Sequence, residues 1–278
     1  MSSLIRFENV SFGYEADKQV LKDVSLNVDR GELIAIIGGN GSGKTTLAKH
    51  CNGLYKPTSG TVTVKGRDTR EQSVAELSRT VTYCYQNPDH QIFQSTIFEE
   101  VAFGPKNLGL PQTEIEQRVT EALAAVGLEQ MRSAEPYFSS KGTRQKIAVA
   151  SILAMKPEAI VLDEPTTGLD YRGVRDIMAL LRKLHQAGHT IIVVTHDMKL
   201  VAEYALRVLV MHQGRLLCDG TPQEVFARQE VLMKAQVEAP AVYRFGVAAG
   251  WSEPVPLTLE QAKVRVTEER MLHETRSS

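Results

Sequence analysis

Residues 32–54 read ELIAIIGGNGSGKTTLAKHCNGL, and the fold is decided here. Leu33 to Ile37 form an apolar run of strand length, the glycines that follow form a turn, and a helical segment comes next. Inside it, Gly38-Gly39-Asn40-Gly41-Ser42-Gly43-Lys44-Thr45 matches the pattern G-x-x-x-x-G-K-[ST]. Glycines let the backbone fold around phosphate oxygens with its N–H groups pointing inward. Lys44 then neutralises charge on the β- and γ-phosphates, and the Thr45 hydroxyl ligates Mg²⁺. Thr46 completes the phosphate-binding set, and the helix behind it adds its positive N-terminal dipole. The bland alternative is a glycine-rich turn without a ligand. Its place between a strand and a helix favours the phosphate reading.

Working outward, composition narrows the class. The chain has 278 residues, 42% hydrophobic and 23% charged, as expected of a globular protein with one large domain or a domain plus an appendage. A formal net charge of −1 gives no basic excess for nucleic acid or anionic lipid, so no nucleic-acid partner is expected. Apolar runs such as 33–37 and 160–162 are far too short to span a bilayer. The start, MSSLIRFENV, lacks the basic-then-apolar pattern of a secretory signal. Cys51, Cys84 and Cys218 are isolated, without metal-ligand spacing, and read as free thiols in a reducing, cytosolic compartment.

Periodicity supplies the rest of the outline. Ile5, Phe7, Val10 and Phe12 alternate with a slip near Asn9, and Val24, Leu26 and Val28 share one face of a second strand. Short strands follow at 59–66 and 79–86. From Pro111 the period turns helical, with Thr113 and Glu116 as a capping box and Ile115, Val119, Leu123 and Val126 on one face. Another helix is expected over 144–155. A β-α-β succession then runs through 159–163, 172–187 and 190–196, which calls for a parallel sheet. Residues 207–220 read as a hairpin turning at Gln213-Gly214. Beyond about residue 226 the pattern weakens into an Ala-, Gly- and Pro-rich stretch, then a charged helix over 258–272.

Two carboxylates complete the chemistry. Asp163 ends the apolar strand Ile160-Val161-Leu162, where it can hold Mg²⁺ beside the phosphates. Glu164, directly after it, can polarise an attacking water. His196 ends another parallel strand at the same edge and can touch a γ-phosphate. Read alone, an Asp-Glu pair caps a helix and a strand-end histidine is structural; beside the phosphate loop the set describes a nucleotide hydrolase.

The ordered series is more specific. The phosphate loop, Gln86 after a strand, a motif near 139–143, IVLDEPTTGLD over 160–170 and His196 together resemble an ATP-binding cassette (ABC) ATPase over about residues 4–226. The Asn-Lys-x-Asp base reader of a GTPase is absent. The resemblance implies an α/β P-loop NTPase fold with an antiparallel β subdomain, a helical subdomain at about 87–157 and a short C-terminal extension over 227–278. By the same resemblance Tyr14 stacks on adenine, Gln86 senses Mg²⁺ and water, and Asp170 crosses a dimer interface. The stretch YQNPDHQIFQSTIFEEVAFGPKNLGLP (85–111) is similar to energy-coupling factor (ECF) transporter ATPases. That likeness implies a transmembrane coupling subunit gripped through about 86–110, a separate substrate-binding membrane subunit, and residence on the cytoplasmic face of the membrane. It also implies a vitamin or transition-metal ion as cargo. The tail resembles that family's extension, which helps hold the ATPase dimer together. The alternatives are a non-transport ABC ATPase and a largely non-hydrolysing regulatory subunit.

One motif departs from the family. The signature Leu-Ser-Gly-Gly-Gln falls on Ser139-Ser140-Lys141-Gly142-Thr143, so only Ser140 and Gly142 are kept to serve a partner subunit's ATP. Lys141 is the concern, because a side chain is costly where the backbone needs positive φ or must approach a ligand closely. The expectation is slowed hydrolysis at the site this signature completes, with nucleotide binding intact. A heterodimer with a second ATPase subunit is favoured over a homodimer.

Overall fold

A computed structural model describes residues 3–15 and 18–276. Its first two strands, β1 (Ile5–Glu15) and β2 (Lys18–Val28), pair antiparallel, and the slip at Asn9 is an irregularity in their register. Asn9 has φ 50°, its amide N–H donates to Ser25 Oγ (2.9 Å), and its side chain donates to Asp23 Oδ1 (2.9 Å). The extra residue turns Val10 and Phe12 back to the buried face already occupied by Ile5 and Phe7.

The quoted stretch yields β3 (Leu33–Ile37) and α1 (Lys44–His50); β4 (Ser59–Val64) and β5 (Arg67–Asp68) follow. One four-stranded sheet has the order β2-β1-β4-β5. Next come α2 (Val74–Leu77), β6 (Val81–Cys84), then α3 (Ile97–Asn107), α4 (Gln112–Val126) and α5 (Lys141–Leu153), which pack on one another. The β-α-β succession becomes β7 (Ala159–Asp163), α6 (Tyr171–Gln186), β8 (Thr190–Val194), α7 (Met198–Tyr204) and β9 (Arg207–His212), closed by β10 (Arg215–Gly220). The six-stranded sheet runs β10-β9-β3-β8-β7-β6, parallel except for β10. Four further helices follow: α8 (Pro222–Ala227), α9 (Gln229–Ala235), α10 (Ala241–Ala248) and α11 (Leu259–Arg276).

Central strand β3 explains the layering. All five of its residues are buried, as a parallel strand covered on both faces requires. Period two then splits them: Ile34 and Ile36 join the core shared with β1, β2 and α1, while Ala35 and Ile37 face Phe226, Leu232, Ala235 and Tyr243. Each fully buried Ile, Leu or Phe contributes about 1.5–3 kcal/mol. A third core holds α3, α4 and α5 against the sheet through Val101, Val119, Leu123 and Ile147. The three cysteines are buried and free, and burial pushes the Cys51 and Cys84 thiols up to about 12.

Two local expectations need correction. No capping box forms at Thr113: Pro111 (φ −61°, ψ 149°) is the N-cap of α4, without a side-chain bond, and Thr113 lies inside the helix. Pro111 fixes the entry and needs no donor there, so the threonine has nothing to cap. Helix α5 starts at Lys141 rather than Arg144, because Ser140 caps it by accepting the Thr143 N–H (3.2 Å). Among the described residues, no helix is long and apolar enough to cross a membrane.

Candidate functional site

Parallel pairing brings the carboxyl ends of β3, β7 and β8 to one edge: Val194 sits opposite both Ile36 and Asp163. The phosphate loop leaves β3 there and enters α1 through Gly43, whose φ of 101° only glycine adopts readily. The first intrahelical bond runs from Leu47 N–H to Gly43 C=O (2.8 Å). The amides of Gly43, Lys44, Thr45 and Thr46 precede it and have no partner among the described residues, as helix geometry dictates. Ser42 Oγ is also buried without a partner among the described residues. Unspent amides around a buried, unpaired hydroxyl fit a polyphosphate. Lys44 Nζ donates to the Gly38 and Gly39 carbonyls (2.9 Å each). Burial pushes its ammonium below the usual lysine range, opposed by the Glu164 and Asp163 carboxylates. Asn40 lies in the same cleft as Gly38 and Gly39, and a Cβ added at Gly41 (φ 72°) would meet nothing within 4 Å.

Asp163, buried at the end of β7, accepts from Thr45 Oγ1 (3.3 Å) and from the Tyr83 hydroxyl (2.7 Å). Among the described residues, no cluster of three or more His, Cys, Asp or Glu could hold a metal unaided. The pair Thr45–Asp163 therefore fits a hard cation that takes its remaining oxygens from phosphate and water. Glu164 stands beyond the strand at φ 46°, a conformation costing a non-glycine residue about 1–3 kcal/mol. Its amide donates to Val194 C=O (2.9 Å), which fixes it to β8. Three groups converge on its carboxylate: Gln86 Nε2 and Thr167 Oγ1 donate to Oε2 (2.8 and 3.0 Å), and His196 Nδ1 lies 3.2 Å from Oε1. A carboxylate held on three sides at the mouth of a phosphate cleft has the geometry of a general base.

The remaining residues lie apart from this group. Tyr14 borders the outer side of the loop with Gly41 to Thr46; its hydroxyl is 3.0 Å from Thr46 Oγ1. Phe12 and Tyr55 stand nearly perpendicular to its ring at centroid distances of 5.2 and 5.4 Å, and the residue is 58% exposed. Asp170 caps α6 by accepting the Gly173 N–H (2.7 Å). Among the described residues, none of 139–143 lines the cleft that holds Gln86, Glu164 and His196. Lys141 is an ordinary first-turn residue without positive φ, so the expected backbone strain is absent. Its side chain lies over Gly168, where an added Cβ would meet Nζ at 2.4 Å.

Three groups escaped sequence reasoning. Thr167 stands only three residues after Glu164, a spacing that could have been noticed. Tyr83 reaches Asp163 across 80 residues of chain and carried no local signal. Nor did Ala235, whose carbonyl accepts the Gly39 N–H at 2.8 Å.

Comparison with known proteins supplies the family and the fold. The family model described as ABC transporter matches residues 21–167, more than half of the chain. The chain belongs to the ABC transporter family. The energy-coupling factor transporter ATP-binding protein EcfA of Methanocaldococcus jannaschii is 46% identical over 241 residues, 86% of this ABC chain and 86% of that protein. A relative from Caldanaerobacter subterraneus subsp. tengcongensis is 47% identical over 239 residues; the match takes in 86% of this chain but spans only 42% of that longer protein. Among solved structures, cbiO1 of Clostridium perfringens, described as part of the ABC transporter complex cbiONQ, superposes with TM-score 0.77 at 36% identity, covering 90% of this chain and 100% of that one. The fold is that of an ABC ATPase, and ATP binding is common to the family's cassettes.

Proposed function

We propose that this chain is the ATP-hydrolysing subunit of an ECF-type importer, bound to the cytoplasmic face of the membrane through a coupling subunit. The convergence of Gln86, Thr167 and His196 on Glu164 beside the phosphate loop carries the reading. The loop amides, Ser42 and Lys44 bind the phosphates, and Tyr14 offers its ring to adenine. Thr45 and Asp163 would hold Mg²⁺ with Gln86 nearby; the ion's chemistry is to neutralise charge on the β- and γ-phosphates. Glu164 orients and polarises water, kept in place by its hydrogen bonds and by its amide on β8. His196, 65% exposed in its side chain, is free to meet the γ-phosphate. Residues 1–226 form the nucleotide-binding domain and 227–278 the extension that holds the dimer. Residues 86–110 pass the closing motion to the membrane subunit, and a separate membrane subunit reads the vitamin or transition-metal ion.

The altered signature favours a heterodimer. A partner with an intact Leu-Ser-Gly-Gly-Gln completes the site that uses this chain's loop, while Ser140 and Gly142 complete the partner's site weakly. The test is phosphate release by the chain alone and after co-expression with a second ATPase subunit and the membrane subunits. Silence alone and turnover in the complex are expected. Full turnover by the chain alone would overturn the asymmetric arrangement.

A further inference from the structure

The second glycine of the phosphate loop is glycine for a different reason from its neighbours. Gly38, Gly41 and Gly43 have φ of 145°, 72° and 101°, whereas Gly39 is not among the residues with positive φ. A Cβ on Gly39 would instead stand 3.0 Å from Gln236 Oε1 and 3.2 Å from the Ala235 carbonyl oxygen. The Gly39 N–H donates to that same carbonyl at 2.8 Å. What Gly39 permits is close approach of a second backbone, and that backbone lies nearly 200 residues further along the chain.

The approaching turn is firmly mounted. Ala235 ends α9, and Gln236 caps it in the left-handed region (φ 56°, ψ 44°), which costs a non-glycine residue about 1–2 kcal/mol. The Gln236 N–H to Met233 C=O (3.1 Å) and the Val237 N–H to Leu232 C=O (3.0 Å) hold that conformation. Leu232 and Ala235 are buried with Ile37, the last residue of the strand that feeds the loop. Beyond the turn, residues 237–241 line the same cleft as Glu164 and His196.

We propose that the Ala235–Gln236 turn positions the phosphate loop, so that nucleotide occupancy and the C-terminal extension are coupled. The proposal rests on the ATP reading above. The turn touches no reacting atom; it acts through Gly39, which sets the path of Asn40 and Gly41 behind it. Ligand on the loop then stiffens the turn, and displacing the turn loosens the loop.

A double-mutant cycle in the full chain tests this, with a fluorescent ribose-labelled ATP analogue as probe. Gly39→Ala, which drives a methyl into the turn, is expected to weaken binding about tenfold or more, and Gln236→Gly to change it less than about threefold. Combined, Gln236→Gly removes the nearest obstructing atom and should recover at least about half of the loss on a logarithmic scale. Hydrogen exchange over residues 229–235 of the unmutated chain, which do not line the cleft, should slow when the analogue is added, a response that a purely structural contact would not give. Equal weakening of Gly39→Ala with and without Gln236→Gly, or exchange indifferent to the analogue, overturns the coupling. Failure of the unmutated chain to bind the analogue instead removes the ATP reading itself. If Gly39→Ala does not fold, the exchange measurement decides alone.

Discussion

The loop at 38–45 and the turn at 139–143 each open a helix, and they treat their amides in opposite ways. The first enters α1 through a glycine in the left-handed region, with no side-chain cap, and leaves four amides unspent among the described residues. The second enters α5 through Ser140, whose Oγ already accepts the Thr143 N–H and lies 3.0 Å from Thr143 Oγ1. A helix start can be stabilised by its own side chain or kept vacant for an anion, and the same groups cannot do both at once. The signature's serine accepts the Thr143 N–H and keeps its own O–H to donate, and Lys141 stands beside it over Gly168. Under the function proposed above, the loop keeps its amides for this chain's own ATP, while the turn lent to a partner has one amide already capped.

Three substitutions bear on that contrast. The largest effect is expected from Glu164→Gln in the assembled complex: turnover falls about 10²–10⁴-fold while equilibrium ATP binding persists. Steady-state phosphate release beside a binding titration measures both, and unchanged turnover would remove the distinction between the two halves. Lys141→Gly sharpens it from the other side. Removing the side chain lets the signature amides approach the partner's phosphate, which should raise turnover of the chain alone by about 10²–10³-fold, the worth of one pre-organised donor brought within reach. No rise would place the defect in Ser139 or Thr143.

The smallest effect concerns the helix behind the intact loop. His50 is fully buried, its Nδ1 bonds the Thr46 carbonyl (2.8 Å), and its Nε2 has no partner among the described residues. Burial lowers its pKa, an effect opposed by the Thr46 bond. Because the folded pKa lies below the unfolded value, the unfolded chain takes up the proton first. Stability from this group is therefore present above about pH 6.5 and falls at lower pH, by at most about 1.4 kcal/mol per unit. In His50→Phe the loss of urea resistance between pH 7 and pH 5.5 should shrink by about 1 kcal/mol or less. An identical pH profile would show that α1 tolerates the charge.

Motifs whose chemistry is local were legible in the sequence. The phosphate loop, the Asp163-Glu164 pair and the slip at Asn9 each follow from neighbouring residue types and period. Helix entry points were less so, because Thr113 and Pro111 compete for one start and the proline's fixed φ decides it. Least legible were contacts made by folding alone. The Tyr83 phenol, which burial and then the Asp163 carboxylate hold far above its ordinary range, gives no sign in its own strand of what it will touch. The Ala235 carbonyl is invisible for a simpler reason: any residue type supplies one.

The buried cysteines carry a practical consequence. With all three thiols enclosed, and two held almost wholly protonated at neutral pH, the native fold presents alkylating labels with scarcely any target. A cysteine introduced at Phe138, 88% exposed and directly before the signature, would therefore take up a spectroscopic label alone. The chain comes ready for distance measurements that follow, turnover by turnover, how near its signature draws to a partner.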